Sequence, residues 1–263
     1  MFEAMLEKAQ VLKKIVDAVK DLVTDANIEI NESGLTVQAI DSSHVSLVSL
    51  QMNPHLFGHF RCDKPMTLGI NLGNFAKILK CAGNDDSITL KAQEEGEILT
   101  IAFDSPGQER SSEFELKLMD IDGEHLGIPE QEYQCTTKMS SAEFMRIVRD
   151  MAVLGDTAQI AVTKEGISFE VRGDMGNGKI KLRQNSGGVD GKDDDALDVT
   201  MEEPVELSFA LRHLGFFTKA TPLSTRVTLA MSPDMPVAVT YNVGDEEGMG
   251  SLSFYLAPKL EDE

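Results

Sequence analysis

The sequence predicts an α+β protein of two similar domains, each a sheet assembly covered on one side by two helices. Three observations lead to this prediction. The second half of the 263-residue chain repeats the first at a steady register. Each half holds two segments with the apolar period of a helix, and much of the rest alternates apolar and polar residues as strands do. We place the domains at 1–118 and 135–263, with a connector at 119–134.

The repeat is clearest in two blocks of each half. Gly34 aligns with Gly166 at an offset of 132, and Pro65 aligns with Pro204 at an offset of 139. We assign the seven extra residues to the acid-rich segment 187–198, which is expected to be an exposed loop. Weak identity over a sustained register is typical of an internal duplication.

Four helices are expected, two in each half. In the first half the apolar stripes are Val11, Leu12, Ile15, Val16, Val19, Leu22 and Val23, and then Leu72, Phe75, Ala76 and Leu79. In the second half, Ser140 and Glu143 have the spacing of a capping box, which predicts a helix start. The stripes that follow are Phe144, Ile147, Val148 and Met151, and then Leu211 and Leu214.

Alternation predicts strands at 98–103, 111–118, 167–172, 180–183 and 252–256. Two predicted strands carry opposite charges on one face. Strand 109–117 carries Glu109, Glu113 and Glu115, and strand 179–183 carries Lys179, Lys181 and Arg183. Such edges can pair within one chain or head to tail between chains, and the sequence leaves both arrangements open.

The charge distribution is uneven. A formal net charge of −20 argues against nucleic-acid binding unless the positive charges gather on one surface. Two long segments, 65–84 and 207–233, contain no acid but hold Lys77 and Lys80, and Arg212, Lys219 and Arg226. We therefore expect basic helical segments on a common surface.

Composition excludes several other classes. Three widely spaced cysteines without a C-x-x-C motif support neither a disulfide framework nor a zinc site, so a reducing compartment is expected. The first 20 residues lack the pattern of a signal peptide, and no run of about 18 apolar residues occurs, so neither secretion nor membrane insertion is expected.

Three motifs resemble chemical sites but are incomplete. GDMGNGK at 173–179 is followed by Ile180 and a predicted strand rather than by Ser or Thr and a helix, so a hairpin turn is favoured over a phosphate loop. His55 and His59 have a zinc-helix spacing without the intervening Glu. The run 193–195 is interpreted as solvated charge.

The connector between the halves is long for a loop without a period. Residues 119–133 are rich in acids but include Leu126, Ile128, Pro129 and Tyr133. This apolar cluster predicts a docking surface, an anchor to the chain's own sheet, or both.

Several strings resemble the eukaryotic sliding clamp family, the proliferating cell nuclear antigens. They include MFEA at the start, DSSHVSLV at 41–48, KILKCAGN at 77–84, LGIPEQEY at 126–133, FFTKATPLS at 216–224 and YLAPK at 255–259. The resemblance covers essentially the whole chain. It implies a nuclear, non-catalytic homotrimer without a cofactor, in which six similar domains of the DNA-clamp fold form a closed ring around duplex DNA. The helices would form the inner face and the β-sheets the outside.

The resemblance also implies the roles of particular residues. Those facing DNA would be Lys13, Lys14, Lys20, Lys77, Lys80, Arg146, Arg149, Arg212 and Lys219. Short motifs of DNA polymerase, flap endonuclease, DNA ligase and the clamp loader would bind at Ile40, His44, Val45, Leu126, Ile128, Pro129, Tyr133, Met235, Pro236, Ala257, Pro258 and Lys259. The subunit interface would include Glu109, Arg110 and Phe114 on one strand and Lys179, Ile180 and Lys181 on the other, and Lys164 would be the ubiquitin and SUMO acceptor.

Three positions depart from the family pattern: His213 replaces a common Tyr, Ile40 replaces a common Met, and the acidic loop before Asp198 is longer. Two rival functions are weighed against a processivity clamp. One is a nucleotide-dependent enzyme that uses the 173–179 loop. The other is a subunit of a heteromeric checkpoint-type clamp.

Overall fold

The computed structural model describes residues 1–122, 132–184, 196–244 and 248–259. The first half contains β1 (Phe2–Leu6), α1 (Ala9–Val19), β2 (Asp25–Asn31), β3 (Gly34–Ile40), β4 (Ser46–Met52), β5 (His59–Cys62), β6 (Met66–Asn71), α2 (Leu72–Leu79), β7 (Ser87–Ala92), β8 (Ile98–Asp104) and β9 (Ser111–Lys117). The second half contains β10 (Cys135–Ser140), α3 (Ser141–Ala152), β11 (Thr157–Thr163), β12 (Gly166–Gly173), β13 (Gly176–Arg183), β14 (Asp198–Met201), β15 (Val205–Ala210), α4 (Leu211–Phe217), β16 (Arg226–Met231), β17 (Val237–Asn242) and β18 (Gly250–Leu256). Few helices and many antiparallel strands confirm the α+β prediction.

Two compact units divide the chain. The first unit comprises Met1–Ser42, Val48–Gly127 and Asn242–Leu252, and the second comprises Ser43–Leu47, Ile128–Tyr241 and Ser253–Glu263. Each unit has its own buried apolar side chains, so each has its own core.

The first unit is built from strands in the orders β5-β1-β7-β8-β9 and β4-β3-β2-β6. Helices α1 and α2 pack against each other. The predicted stripe of α1 is buried at Leu12, Ile15, Val16 and Val19, and that of α2 at Leu72, Phe75, Ala76 and Leu79. Val11 is only half-buried, and the helix ends at Val19, so the buried Leu22 and Val23 follow it rather than continue it. Asn71 caps α2 by accepting a hydrogen bond from the Asn74 N–H, so a polar side chain fixes the helix start.

The second unit repeats this plan, with strands in the orders β14-β10-β16-β17-β18 and β13-β12-β11-β15. Ser140 caps α3, its Oγ accepting from the Glu143 N–H at 3.4 Å, as the capping-box spacing predicted. Phe144 and Leu214 are fully buried between α3, α4 and the sheet. Burial of such a side chain stabilises the fold by roughly 1.5–3 kcal/mol.

The element positions confirm the internal repeat. Helices α1 and α3, like strands β2 and β11, begin 132 positions apart, whereas β5 and β14, β6 and β15, and α2 and α4 begin 139 positions apart. The offset is 130 where β4 and β13 begin, and the change to 139 falls after Arg183 and before Asp198. Within the predicted acidic loop 187–198, residues 187–195 lie outside the described residues.

Gly34 and Gly166 show the repeat at atomic scale. Both have positive φ, +126° and +144°. A β-carbon at Gly34 would lie 2.2 Å from the Met52 oxygen, and one at Gly166 would lie 2.0 Å from the Leu182 oxygen. Each glycine therefore allows the same close approach of neighbouring strands, and Met52 and Leu182 are equivalent positions.

Two strand edges and one pair of segments matter for the site. Strands β9 and β13 each stand at the end of the strand order in which they occur, among the residues described. The segments of β4 and β18, by contrast, are bonded to each other within each unit. The Asn53 N–H donates to Met249 O at 2.8 Å in the first unit, and the Ala257 N–H donates to Val45 O at 3.1 Å in the second.

The two acid-free segments are helical only in part, which corrects the expectation from charge. Residues 66–71 form strand β6 before α2 begins, and α4 ends at Phe217 and continues as a 3-10 helix to Leu223. Arg226 begins strand β16, is largely buried and pairs with Asp198 at 2.8 Å. Arg226 therefore forms a structural ion pair with Asp198 and is not part of a basic helix.

Candidate nucleic-acid interface and docking surface

The first unit presents five candidate lysines on its two helices. Lys13 and Lys14 lie on α1 and Lys20 just after it, while Lys77 and Lys80 lie at the end of α2. Lys13 donates to the Ala82 carbonyl and Lys20 pairs with Asp17. Among the residues that the structure describes, no carboxylate is within ion-pairing distance of Lys14 or Lys80. Because the apolar stripes bury the opposite faces, these charges are turned towards solvent.

In the second unit the α3 arginines are partly neutralised. Arg146 lies 3.9 Å from Glu143 and 3.8 Å from Asp150, and Arg149 lies 3.1 Å from Asp150. All these side chains are well exposed, so the ion pairs are weak and open to competition from phosphate.

The α4 cations share an aromatic ring. The Arg212 guanidinium lies 6.0 Å and the Lys219 ammonium 5.1 Å from the centre of the Phe216 ring. Such contacts orient the cations without neutralising them. Sequence reasoning missed Phe216, although its spacing, four residues after Arg212 and three before Lys219, could have indicated it.

Exposed cations on helices, such as those in each unit, can bind phosphate without reading base sequence. Lysine and arginine side chains on helical faces supply charge to a phosphate backbone, and such contacts carry no sequence information. Their strength falls steeply with salt.

The predicted docking residues that can be described are mostly exposed. Ile40 and Val45 each expose 41% of their surface, which is unusual for large apolar side chains. His44 has a positive φ of 58° in the turn before β4. Leu126, Ile128 and Pro129 lie outside the described residues.

Hydrogen bonds organise the docking residues of the second unit. The Tyr133 hydroxyl donates to Pro236 O at 3.5 Å, and the Lys259 N–H donates to Ser208 O at 2.7 Å. Burial raises the pKa of Tyr133 to about 12, helped by the nearby Tyr255 phenol, so this hydroxyl stays a donor up to strongly alkaline pH. Met235 and Pro236 lie in the turn before β17, beside the strand that leads to Ala257 and Pro258.

Two family models match the chain. One, for the N-terminal domain of proliferating cell nuclear antigen, covers residues 1–125, and the other, for its C-terminal domain, covers residues 127–259. The chain belongs to the proliferating cell nuclear antigen family. It is a DNA sliding clamp of the kind that serves DNA replication and repair.

The two charged strands of this family member differ in their surroundings. On β9, the Phe114 ring packs against Phe103 at 5.7 Å between centroids, and Glu113 and Glu115 are exposed. Just before it, the Arg110 N–H donates to Ser105 Oγ at 3.0 Å. Strand β9 begins at Ser111, so the predicted strand 109–117 starts two residues too early.

On β13, Lys179 pairs with Glu170 of β12 at 2.8 Å, and this contact lowers the pKa of the Glu170 carboxyl. Ile180 is half-buried, while Lys181 and Arg183 are exposed. The strand runs from Gly176, three residues before the predicted start. Lys164 is exposed in the turn between β11 and β12, where a modifying enzyme could reach it.

The clamp's incomplete motifs have ordinary structures. Gly173 pairs with Gly176 across the two-residue turn of a hairpin, as predicted, so the 173–179 segment forms no helix-opening phosphate loop. His55 lies in a 3-10 turn and His59 begins β5. Within the described ranges, no group of three or more His, Cys, Asp or Glu side chains is placed to hold a metal, and no helix has both the length and the apolarity needed to cross a bilayer. The run 193–195 lies outside the described part of the chain.

One clamp contact was not anticipated. Ser43 Oγ lies 3.3 Å from His213 Nε2, so the position where the family commonly has Tyr is hydrogen-bonded to the turn that carries His44. Sequence separation hides this contact, because 170 positions divide the two residues.

Proposed function

We propose that this chain assembles head to tail into a closed homotrimeric ring that encloses duplex DNA and acts as the processivity factor of the replicative DNA polymerase. Domains 1–118 and 135–263, joined by the connector 119–134, would occur once in each of three copies and so supply the six repeating elements of the ring. Retention on DNA would come from closure of the ring rather than from affinity, which suits a protein that must slide.

The observation that carries this proposal is the equivalence of two strand pairs. The Lys259 N–H donates to Ser208 O, and the Met119 N–H donates to Gly69 O. Ser208 and Gly69 are themselves equivalent, because they are separated by the repeat offset of 139. Met119 is therefore equivalent to Lys259, and β9 to β18. Since Met52 is equivalent to Leu182, β13 is likewise equivalent to β4. Residues of the β4 and β18 segments bond to each other within each unit, whereas the outer edges of their equivalents β13 and β9 have no partner strand among the residues described and are available to another copy.

The equivalence also supports a particular register between copies. The bonded pair Asn53 and Met249 maps onto Arg183 of one copy and Glu109 of the next. Continuing along the antiparallel strands, Lys181 lies opposite Ser111 and Lys179 opposite Glu113. Opposite charges therefore face each other, which favours this pairing over its alternatives.

The helical cations would face the enclosed DNA. Lys13, Lys14, Lys20, Lys77 and Lys80 of the first unit, and Arg146, Arg149, Arg212 and Lys219 of the second, are the proposed phosphate contacts. In a protein of net charge −20, their grouping on helices concentrates positive charge where DNA would pass.

The exposed apolar residues would receive partner enzymes. We assign Ile40, His44, Val45, Tyr133, Met235, Pro236, Ala257, Pro258 and Lys259, together with Leu126, Ile128 and Pro129, to the docking of short motifs from DNA polymerase, flap endonuclease, DNA ligase and the clamp loader. Lys164 is the proposed acceptor for ubiquitin or SUMO, and the working compartment is the nucleus. We propose no catalytic activity of the chain's own.

The rival assignment is a subunit of a heteromeric checkpoint-type clamp. Self-complementary edges on one chain favour a ring of identical copies, because a heteromeric clamp needs each edge to match a different chain. Purified alone, this chain should therefore form trimers.

The deciding experiment loads the clamp with its loader onto circular DNA and onto the same DNA after linearisation, and isolates the complexes at moderate salt. A topological ring stays on the circle and runs off the line. Equal retention on both would overturn the proposal.

A further inference from the structure

A groove in the first unit is not used by the functions assigned above. It lies where β9 ends beside the start of β8, with Thr67 and Gly69 of β6 along one side. Two of its large apolar side chains are well exposed, Ile98 at 40% and Met119 at 42%. Glu97 and Leu118 are held together by a 2.9 Å bond from the Leu118 N–H to Glu97 O, so the groove has a fixed wall.

The repeat maps this groove onto the proposed docking surface of the second unit. Met119 and Lys259 are equivalent by their bonds to Gly69 O and Ser208 O, 2.9 and 2.7 Å. Lys117 and Leu118 therefore correspond to the docking residues Ala257 and Pro258.

The other wall corresponds as well. Phe103 of β8 pairs with Ile88, and Tyr241 of β17 pairs with Val227. Because Ile88 and Val227 are separated by the repeat offset of 139, β8 and β17 are equivalent strands. Ile98 comes directly before the first buried residue of β8, and Pro236 comes directly before the first buried residue of β17. Ile98 therefore corresponds to Pro236.

We propose that this first-unit groove is a second docking surface, for an extended peptide segment with an aliphatic anchor flanked by Lys or Arg. The aliphatic anchor follows from the exposed Ile98 and Met119, which would gain from being covered. The inference rests on the proposed function in one respect, that the equivalent second-unit surface docks peptides.

The flanking charge follows from the rim of the groove. Glu97 and Asp120 line it and Glu95 stands exposed in the adjoining turn, against one lysine, Lys117. In the second unit the positions corresponding to Glu97 and Ile98 are Met235 and Pro236, which are uncharged, and Gly96 corresponds to Asp234. The two surfaces therefore select different flanking charges, and a basic segment suits the first-unit groove.

The proposed ring would complete the groove. The Ala257 N–H donates to Val45 O, and the equivalents of these two residues are Lys117 and Met175. In the ring, Lys117 of one copy would therefore lie beside Met175 of the next. Met175 is 77% exposed in the hairpin turn between β12 and β13. In the ring it would approach the groove as Val45 approaches the second-unit surface, adding an apolar wall.

The test uses the full-length clamp and a displayed library of random 12-residue peptides, with counter-selection against the double variant Ile98→Asp and Met119→Asp. We expect peptides with an aliphatic residue beside Lys or Arg that bind the double variant at least tenfold more weakly. The charge-reversed variant Glu97→Lys with Asp120→Lys should shift the selection to acidic flanks. Thermal unfolding, together with a milder variant, Met119→Ser, separates loss of binding from loss of folding.

Two outcomes would overturn the proposal: peptides that bind parent and double variant equally, or peptides unaffected by the charge reversal. The same library screened against a Tyr133→Ala, Pro236→Asp variant reports on the second-unit surface. Peptides that fail to bind this variant but still bind the Ile98→Asp, Met119→Asp variant report on the second-unit surface alone. Failure of the proposed function can therefore be distinguished from failure of the first-unit groove.

Discussion

The backbone N–H of Asn53 donates to the carbonyl oxygen of Met249 across 2.8 Å, which fixes the register of β4 against β18. The equivalent residues are Arg183, the last residue of β13, and Glu109, two residues before β9 begins. In the proposed ring, this bond within one chain would give the register in which two copies meet.

The register can be tested by disulfide trapping. We expect Ser111→Cys with Lys181→Cys to crosslink neighbouring copies on mild oxidation, because directly opposed β-carbons are about 4.5–5.5 Å apart. The background should carry Cys62→Ser and Cys81→Ser, since both thiols are accessible to some degree. Non-reducing electrophoresis should show a covalent trimer.

A matched control shifts the register by one residue. Ser112→Cys with Lys181→Cys places the two thiols on opposite faces of the paired strands, so it should not crosslink. Equal crosslinking by both pairs would show that the assigned register is wrong.

The opposite charges of Glu109 and Arg183, at the end of this interface, should be exchangeable between the two positions. Glu109→Arg alone brings like charges together at Arg183, and we expect it to weaken each subunit contact by roughly 1 kcal/mol, or several-fold in the dissociation constant. The double exchange Glu109→Arg with Arg183→Glu should restore the parent mass at low concentration in light scattering. If the double variant is weaker than either single one, the residues are not opposed.

The lysines of α2 should matter to DNA but not to peptides. Lys77→Glu with Lys80→Glu should reduce DNA-dependent stimulation of the polymerase several-fold, because two proposed phosphate contacts become repulsive. Reversing Lys64 and Lys91, which pair with Glu94 and Glu3 and lie outside the helices, provides a control of equal charge change. An equal loss in both variants would mean that total charge, not the helical face, is responsible.

The three tyrosines should titrate late. Burial raises the pKa of Tyr133 to about 12 and also raises those of Tyr241 and Tyr255 above the ordinary value of 10. The folded chain therefore keeps protons that the unfolded chain loses, so stability falls as the pH rises from 10 towards 12. Tyrosinate absorbance should appear near pH 10 in urea but later in the native protein. A native midpoint at 10 for all three would contradict this burial.

The two equivalent glycines should be equally intolerant of a side chain. Gly34→Ala and Gly166→Ala each combine a positive φ with a clash against a carbonyl oxygen, at a cost of roughly 1–3 kcal/mol. Gly215→Ala is the control. Nothing lies within 4 Å of its β-carbon position, and alanine is favoured inside a helix by about 1 kcal/mol. Thermal unfolding should fall for the first two variants and not for the third.

Periodic signals in the sequence were sufficient for most of the fold. The stripe from Leu12 to Val19 and the Ser140 cap are local patterns, so they predicted α1 and α3 correctly. The offsets of 132 and 139 recur in the starts of the elements because a duplicated chain folds twice by the same rules.

Charge was a poorer guide to local structure. A segment without acids can be either helix or strand. Strand β6 was therefore included in a predicted basic helical segment. Arg226 was misjudged because its partner Asp198 lies 28 positions away. The contact of Ser43 with His213, and the Phe216 ring between Arg212 and Lys219, depend on side-chain placement that sequence spacing alone does not determine.

The pairing of β4 with β18 has a consequence for how a ring could open. These strands belong to one polypeptide, so if they separate they remain tethered, and re-pairing is intramolecular at high effective concentration. In the proposed ring, each pair of β9 with β13 would join two different copies, so it would be held only by its own contacts. A loader that strains the ring would therefore part it at a chain-to-chain junction, leaving a gap whose two lips are an acidic strand and a basic one.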